Sequence, residues 1–200
     1  LKIERQTFKE MFAFSSWNLI GSSALVLRNQ GIDVVLNMFF DVVVNAAKGV
    51  AYQVQGAIQL FIGNFTTAIN PQLTAAIAQN NYDRASNLMF HGARISFFMM
   101  MLIAVPFFMC ADEILRIWLV NPPEYSTVFV QLTIVMVLCD TLSRLLKNGI
   151  LAHGDIRNFQ ILAGGIKLLS LPITYLILKF GGSPYTGFLV NIAIEFCALY

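Results

Sequence analysis

The sequence predicts an all-α protein, a polytopic transmembrane helical bundle of six spans, and three observations predict it. The chain is 57% hydrophobic and 12% charged, with a mean hydropathy of +0.68, where soluble domains carry about 25% charged residues. Its apolar residues fall into six stretches, each close to the roughly 20 residues a helix needs to cross a bilayer. Nearly all of its 13 Lys and Arg residues lie between those stretches or at their ends. A soluble core accounts for one or two apolar helices, but not for six separated by short polar connections.

Polar connections set the boundaries. The first span covers 11–38 and ends at the polar turn 41–45. The second covers 46–71, and the hydrophilic run Gln79-Asn80-Asn81-Tyr82-Asp83-Arg84 comes after it. The third, 88–110, contains Pro106, whose kink neighbouring helices can accommodate. The connection 111–125 carries Trp118, Tyr125 and the Pro122-Pro123 break, and its two aromatic residues suit a membrane–water interface. The fourth span is 127–151, followed by the turn His153-Gly154-Asp155. The fifth is 156–180, closed by Gly181-Gly182-Ser183-Pro184, and the sixth, 185–200, is cut within its apolar run. The chain opens on Leu1 rather than Met and has no signal-peptide pattern. A fragment of a longer chain is therefore expected.

Basic residues orient the bundle. Connections on the N-terminal side hold Lys2, Arg5, Lys9, Arg84, Arg94, Arg144, Lys147 and Arg157, and the opposite connections hold Lys48, Arg116 and Lys179. Cytoplasmic connections carry the excess of Lys and Arg, so this asymmetry places the N-terminus in the cytoplasm.

Two spans carry polar stripes. On the second, Gly49, Gln53, Gly56, Leu60, Gly63, Thr67 and Asn70 recur at steps of four and three and share one face, with Asn64 beside them. Small residues let helix backbones approach in lipid, so close packing is one reading. Gln53, Asn64, Thr67 and Asn70 support another, in which the stripe lines a polar cavity. On the first span, Asn29, Asp33 and Asn37 are spaced i, i+4, i+8, and Ser15, Asn18 and Ser22 extend the polar surface.

Intramembrane charges are costly and mark functional sites. Arg28 lies about 100° round the helix from Asn29 and roughly 5–6 Å from the span centre. It either faces a cavity, snorkels, or pairs with Asp33, although a five-residue separation is poor helix geometry for that pair. Lys167 lies near the middle of its span, with Gly164 and Thr174 on its side. It either faces an aqueous cavity or is buried as the neutral amine. Glu195 is a third intramembrane charge, in the span that is cut short.

Other chemistries find little support. His91 and His153 stand alone without ligand spacing, and no HExxH, GxxxxGK[ST] or GxSxG string occurs. Asp112-Glu113 is the only adjacent acidic pair, too little for a membrane transferase. Cys110, Cys139 and Cys197 are scattered in apolar surroundings and read as packing residues. Asn64-Phe65-Thr66 matches a glycosylation triplet but lies within a span. The residues point to a membrane protein without enzymatic activity, metal or bound cofactor, and with no nucleic-acid partner.

Several motifs taken together carry a family resemblance. They are Phe14-Ser15-Ser16-Trp17-Asn18-Leu19-Ile20-Gly21, Asn29-Gln30-Gly31-Ile32-Asp33, and Leu36-Asn37-Met38-Phe39-Phe40 with Val44-Asn45-Ala46-Ala47. Downstream, Asn70-Pro71-Gln72, Ile114-Leu115-Arg116-Ile117-Trp118-Leu119 and Ala152-His153-Gly154 fit the same pattern. Over nearly its whole length the chain resembles the MATE/polysaccharide-flippase (MOP) superfamily, and within it the lipopolysaccharide and polysaccharide biosynthesis branch.

The resemblance implies a transporter of 12 to 14 helices in two six-helix lobes, with residues 1–200 as the second, C-terminal lobe and an N-terminal lobe missing. It implies alternating access around a cavity between lobes, in the bacterial inner membrane. In the flippase branch the substrate is a polyprenyl-pyrophosphate-linked oligosaccharide, moved from the cytoplasmic to the periplasmic leaflet among membrane lipids. Basic cavity residues then correspond to Arg28 and Lys167, with Asn29, Asp33, Asn37, Gln53 and Asn64 lining the cavity. In the drug-exporting branch, Asp33 and Glu195 would instead serve Na⁺ or H⁺ coupling.

Overall fold

A computed structural model describes residues 5–153 and 157–197, and among these every regular element is helical. In chain order they are α1 (Arg5–Phe39), α2 (Val42–Ala78), α3 (Tyr82–Met109), α4 (Ala111–Leu119), α5 (Ser126–His153), α6 (Arg157–Leu168), α7 (Ser170–Lys179) and α8 (Thr186–Cys197). Two helical stretches, Tyr82–Met109 and Phe159–Lys179, are long and apolar enough to cross a membrane by length and composition. Ser126–Leu142 and Thr186–Glu195 form shorter apolar helices. Helices α1 and α2 contain 35 and 37 residues. At 1.5 Å per residue each is about 50–55 Å long, well beyond a hydrocarbon core of about 30 Å. Lys2, Gly154, Asp155 and the end of the last expected span, 198–200, lie outside the described residues.

Prolines account for two departures from the expected boundaries. Helix α2 does not stop at Pro71 but continues to Ala78. Pro71 removes the ladder donor to the Thr67 carbonyl. Just before this point the Thr66 and Thr67 hydroxyls donate back to the Ile62 and Gly63 carbonyls at 3.0 and 2.8 Å. The expected fifth span is two helices, α6 and α7, broken at Leu169. Pro172 cannot donate to the Leu168 carbonyl, and its ring crowds that same group. The Ser170 hydroxyl, just past the break, donates to the Lys167 carbonyl at 2.7 Å.

The connection 111–125 holds a short helix, α4. Asp112 and Arg116 pair across one turn of it at 2.9 Å. The next turn is tight: the Asn121 amide donates to the Leu119 carbonyl at 2.6 Å around Val120, at φ +61° and ψ −52°. This is the strained, positive-φ form of the γ-turn, unfavourable for a β-branched residue.

Packing divides the helices into two groups. Helices α2, α3 and α5 pack on one another, α1 packs separately on α6 and α7, and α8 touches both α5 and α7. The first group centres on Ile62, Met100, Phe129 and Ile134, with Phe129 and Phe188 joining α5 to α8 at 4.7 Å between ring centres. Large apolar side chains such as Phe90, Leu102 and Ile117 face outward. Burial drives little association between helices in lipid, so contact density and small residues carry these crossings.

Glycines show where that matters. A Cβ at Gly92 would lie 2.7 Å from Leu145 Cδ1 and 3.1 Å from Ile69 Cδ1, at the junction of α2, α3 and α5. At Gly49, Gly56 and Gly63 it would meet nothing within 4 Å. The Gly49, Gly56 and Gly63 part of the α2 stripe therefore lies open, while Asn70 at its end is bonded to Asn148 of α5. Gly92→Val is expected to lower the stability of the detergent-solubilised protein by about 1–3 kcal/mol through overpacking. Gly56→Ala should leave it unchanged or raise it slightly, since Ala favours the helix. Equal losses at both positions, read by thermal unfolding, would contradict this packing.

Candidate functional site

Helix α5 presents Asp140, Arg144 and Lys147 at i, i+4 and i+7, one charged face on an otherwise apolar helix. Arg144 Nη2 lies 2.9 Å from Asp140 Oδ2, and Lys147 Nζ lies 3.0 Å from Asp140 Oδ1. The same Lys147 ammonium reaches across to α8, 2.7 Å from Glu195 Oε1. Glu195 Oε2 in turn lies 3.3 Å from Lys167 Nζ, on the last turn of α6. Five charges thus form one chain across α5, α8 and α6, three cations against two carboxylates.

A cavity of about 260 Å³ opens beside this chain. Arg144, Lys147 and Lys167 line it together with Asn18 and Ser22 of α1, Asn148 of α5 and Gln160 of α6. The amides are held in place: Asn148 donates to Asn70 at 2.9 Å, and Gln160 donates to Asn18 at 3.4 Å. Gly21 leaves the room that the Gln160 amide occupies. Arg144 Nε is buried without a hydrogen-bond partner. A buried donor left over beside a cavity with an excess of cations favours an anionic guest, because charge-assisted hydrogen bonds offset desolvation.

A second polar cluster closes the corner between α1 and α2. Lys48 Nζ lies 2.5 Å from Asp33 Oδ1, and Asn45 donates to Asn37 one turn away. The Lys48 side chain is 3% exposed, whereas that of Asp33 is 36% exposed. Tyr52 places its ring 5.2 Å from the same ammonium. These contacts join two helices that otherwise diverge toward different partners.

The structure brings together only part of what the sequence suggests. Lys167 lines the cavity and is paired with Glu195, so the two residues expected in opposing roles share one ion pair. Arg28 does not pair with Asp33. Its Nε is 3.4 Å from Asn29 Oδ1. Gln53 lies on the outer face of α2, in an apolar groove with Phe107 and Trp118, away from the charged chain. Asn29 and Asn64 are exposed.

Basic residues expected in connections lie within helices instead, Arg94 in α3 among them. Lys48 is buried in α2, and Arg144 and Lys147 belong to α5. The i, i+4, i+7 spacing of Asp140, Arg144 and Lys147 puts them on one helix face, whereas their charge alone marks the end of a span. Among the described residues no group of three or more His, Cys, Asp or Glu side chains is placed to hold a metal ion.

No curated protein and no solved structure matches the chain. The profile of one protein family, described as polysaccharide biosynthesis protein, matches residues 1–122. That match takes in α1 to α4, and so includes the α1 wall of the cavity and the whole Asp33–Lys48 corner. With more than half of its length matched, the chain belongs to the polysaccharide biosynthesis protein family.

Proposed function

We propose that the protein is a flippase, which carries polyprenyl-pyrophosphate-linked oligosaccharide from the cytoplasmic to the periplasmic leaflet of the bacterial inner membrane by alternating access. In this reading the chain forms one six-helix lobe of a MATE-like transporter of 12 to 14 helices, and it performs no covalent chemistry. The carrying observation is the cavity beside Arg144, Lys147 and Lys167, where cations outnumber carboxylates and one guanidinium donor is unused. Pyrophosphate supplies the charge and acceptors such a cavity lacks. Membership of a polysaccharide biosynthesis family supports a glycan as the cargo on that phosphate.

Orientation follows the same reading. Setting aside Arg94, Arg144 and Lys147, which lie well inside helices, from eight, and Lys48 from three, leaves five basic residues on the N-terminal side against two opposite. The asymmetry still favours a cytoplasmic N-terminus. A cation-coupled exporter would need a carboxylate available to Na⁺ or H⁺, yet Asp33 and Glu195 are both engaged by lysines.

Lys167→Ala is the discriminating variant. Glu195 keeps Lys147 at 2.7 Å when Lys167 is removed, so little stability should be lost. In cells lacking the transporter, complementation with full-length Lys167→Ala is expected to leave little glycan polymer and to accumulate lipid-linked oligosaccharide at normal protein level. Arg28→Ala should impair export as well, and Lys179→Ala, at the exposed end of α7, should not. Normal export in both Lys167→Ala and Arg28→Ala would remove the anion site. No glycan phenotype in the deletion itself would turn the reading toward drug export.

A further inference from the structure

A second, separate groove lies at the polar end of α3. It has a volume of about 470 Å³ and is lined by Arg84, Asn87, Leu88, His91 and Ile95 of α3 and by Ile69 of α2. Arg84, His91 and Ile95 fall at i, i+7 and i+11, so they stand on one face of the helix. Gly92 is part of its lining, and the missing side chain lets Leu145 of α5 and Ile69 of α2 approach. The groove is graded, with polar groups toward the start of the helix and hydrocarbon toward the membrane-length apolar run that ends at Met109.

Its charges are uncompensated. Among the described residues no ion pair engages Arg84 or Arg94, while six pairs tie up charges elsewhere. Arg94 lies against the Phe98 ring at 5.8 Å, on the flank of the groove. Asp83, the neighbouring carboxylate, stands about 100° round the helix from Arg84. From Arg84 to Arg94 the rise is about 15 Å, which covers the headgroup zone and the first part of the hydrocarbon.

We propose that this groove is a binding site for one anionic glycerophospholipid of the leaflet on the N-terminal side. Arg84 and His91, with the Asn87 amide, take the phosphate, and an acyl chain lies along Leu88, Ile95 and Ile69 over Gly92. A basic pocket between spans, open to the bilayer, selects anionic headgroups by charge and holds the lipid by its chain. Arginines that merely snorkel to passing phosphates would need no groove. The site rests on α3 being a membrane span, and it is independent of the transported cargo.

The test uses the full-length protein reconstituted into vesicles of equal phosphatidylglycerol and phosphatidylcholine, extracted in mild detergent and weighed by native mass spectrometry. The wild type is expected to retain one phosphatidylglycerol in preference to phosphatidylcholine. Arg84→Gln should weaken that retention about fivefold, the effect of one basic residue at a membrane surface. Ile95→Trp, which fills the groove without changing charge, should abolish it, and Arg116→Gln on α4 should have no effect.

Four results would overturn the site. They are retention that ignores headgroup charge, equal loss in Arg116→Gln, no effect of Ile95→Trp, or displacement of the lipid by glycerol 1-phosphate alone. Failure of the protein to enter vesicles at all would instead refute the membrane reading of α3.

Discussion

Glu195→Ala is expected to destabilise the protein by about 3 kcal/mol and to abolish export, the largest single-residue effect at the cavity. The reason lies in how the charges are shared. Lys147 touches two carboxylates, Asp140 and Glu195, and each of these has a second cation, Arg144 and Lys167 respectively. Deleting either lysine therefore leaves every carboxylate with a partner. Deleting Glu195 leaves Lys167 with no ion-pair partner among the described residues and reduces Lys147 to Asp140 alone. Removing one partner of a buried pair costs about 3–5 kcal/mol, because a charge remains without compensation.

Thermal and denaturant unfolding of Glu195→Ala, Lys147→Met and the double variant measures this. The expected order places Glu195→Ala well below both lysine variants, with a coupling energy of about 1 kcal/mol or more to Lys147. Equal losses in all three single variants would mean that the network is not shared in this way.

The second large effect concerns the α1–α2 corner, and it is asymmetric. Asp33→Asn strands a Lys48 side chain that is 3% exposed, whereas Lys48→Met leaves Asp33 a third exposed and in reach of water. Asp33→Asn is thus expected to cost about 3 kcal/mol, against less than about 1 kcal/mol for Lys48→Met. The double variant Asp33→Asn/Lys48→Met should recover most of the lost stability.

This pairing also changes how an export defect in Asp33→Asn is interpreted. If the double variant is stable and exports glycan, the role of Asp33 is to hold the corner. If it is stable yet inactive, Asp33 takes part in transport, and cation coupling regains support. Lower stability of Lys48→Met than of Asp33→Asn would refute the burial argument.

Much of this architecture is legible along the chain. Apolar composition over membrane length identifies α3 and the α6–α7 stretch, and a shorter apolar run identifies the first part of α5. Turn residues such as Gly181-Gly182-Ser183-Pro184 mark the ends of helices. Pro172 was legible too, five residues after Lys167, yet its consequence depends on whether neighbours re-satisfy the freed carbonyl. Helix α2 continues past Pro71, whereas near Pro172 the helix breaks.

Charge placement was the less legible part. Arg144 and Lys147 look like the end of a span when hydropathy alone is read, since isolated cations belong in water. They become admissible within α5 only because Asp140 precedes them by one and two turns and Glu195 arrives from 48 residues away. Lys48 belongs with Asp33, 15 residues earlier, by the same logic.

The sequence by itself determined that this protein is helical, that it carries membrane-length apolar helices, and that a few charges lie within the bundle at a cost. Those are properties of single helices, set by composition and by periods of three and four. Only the tertiary structure decided which charges meet. Ion pairing depends on distances of a few ångströms between helices, and no one-dimensional pattern encodes how α5 and α6 are set against α8.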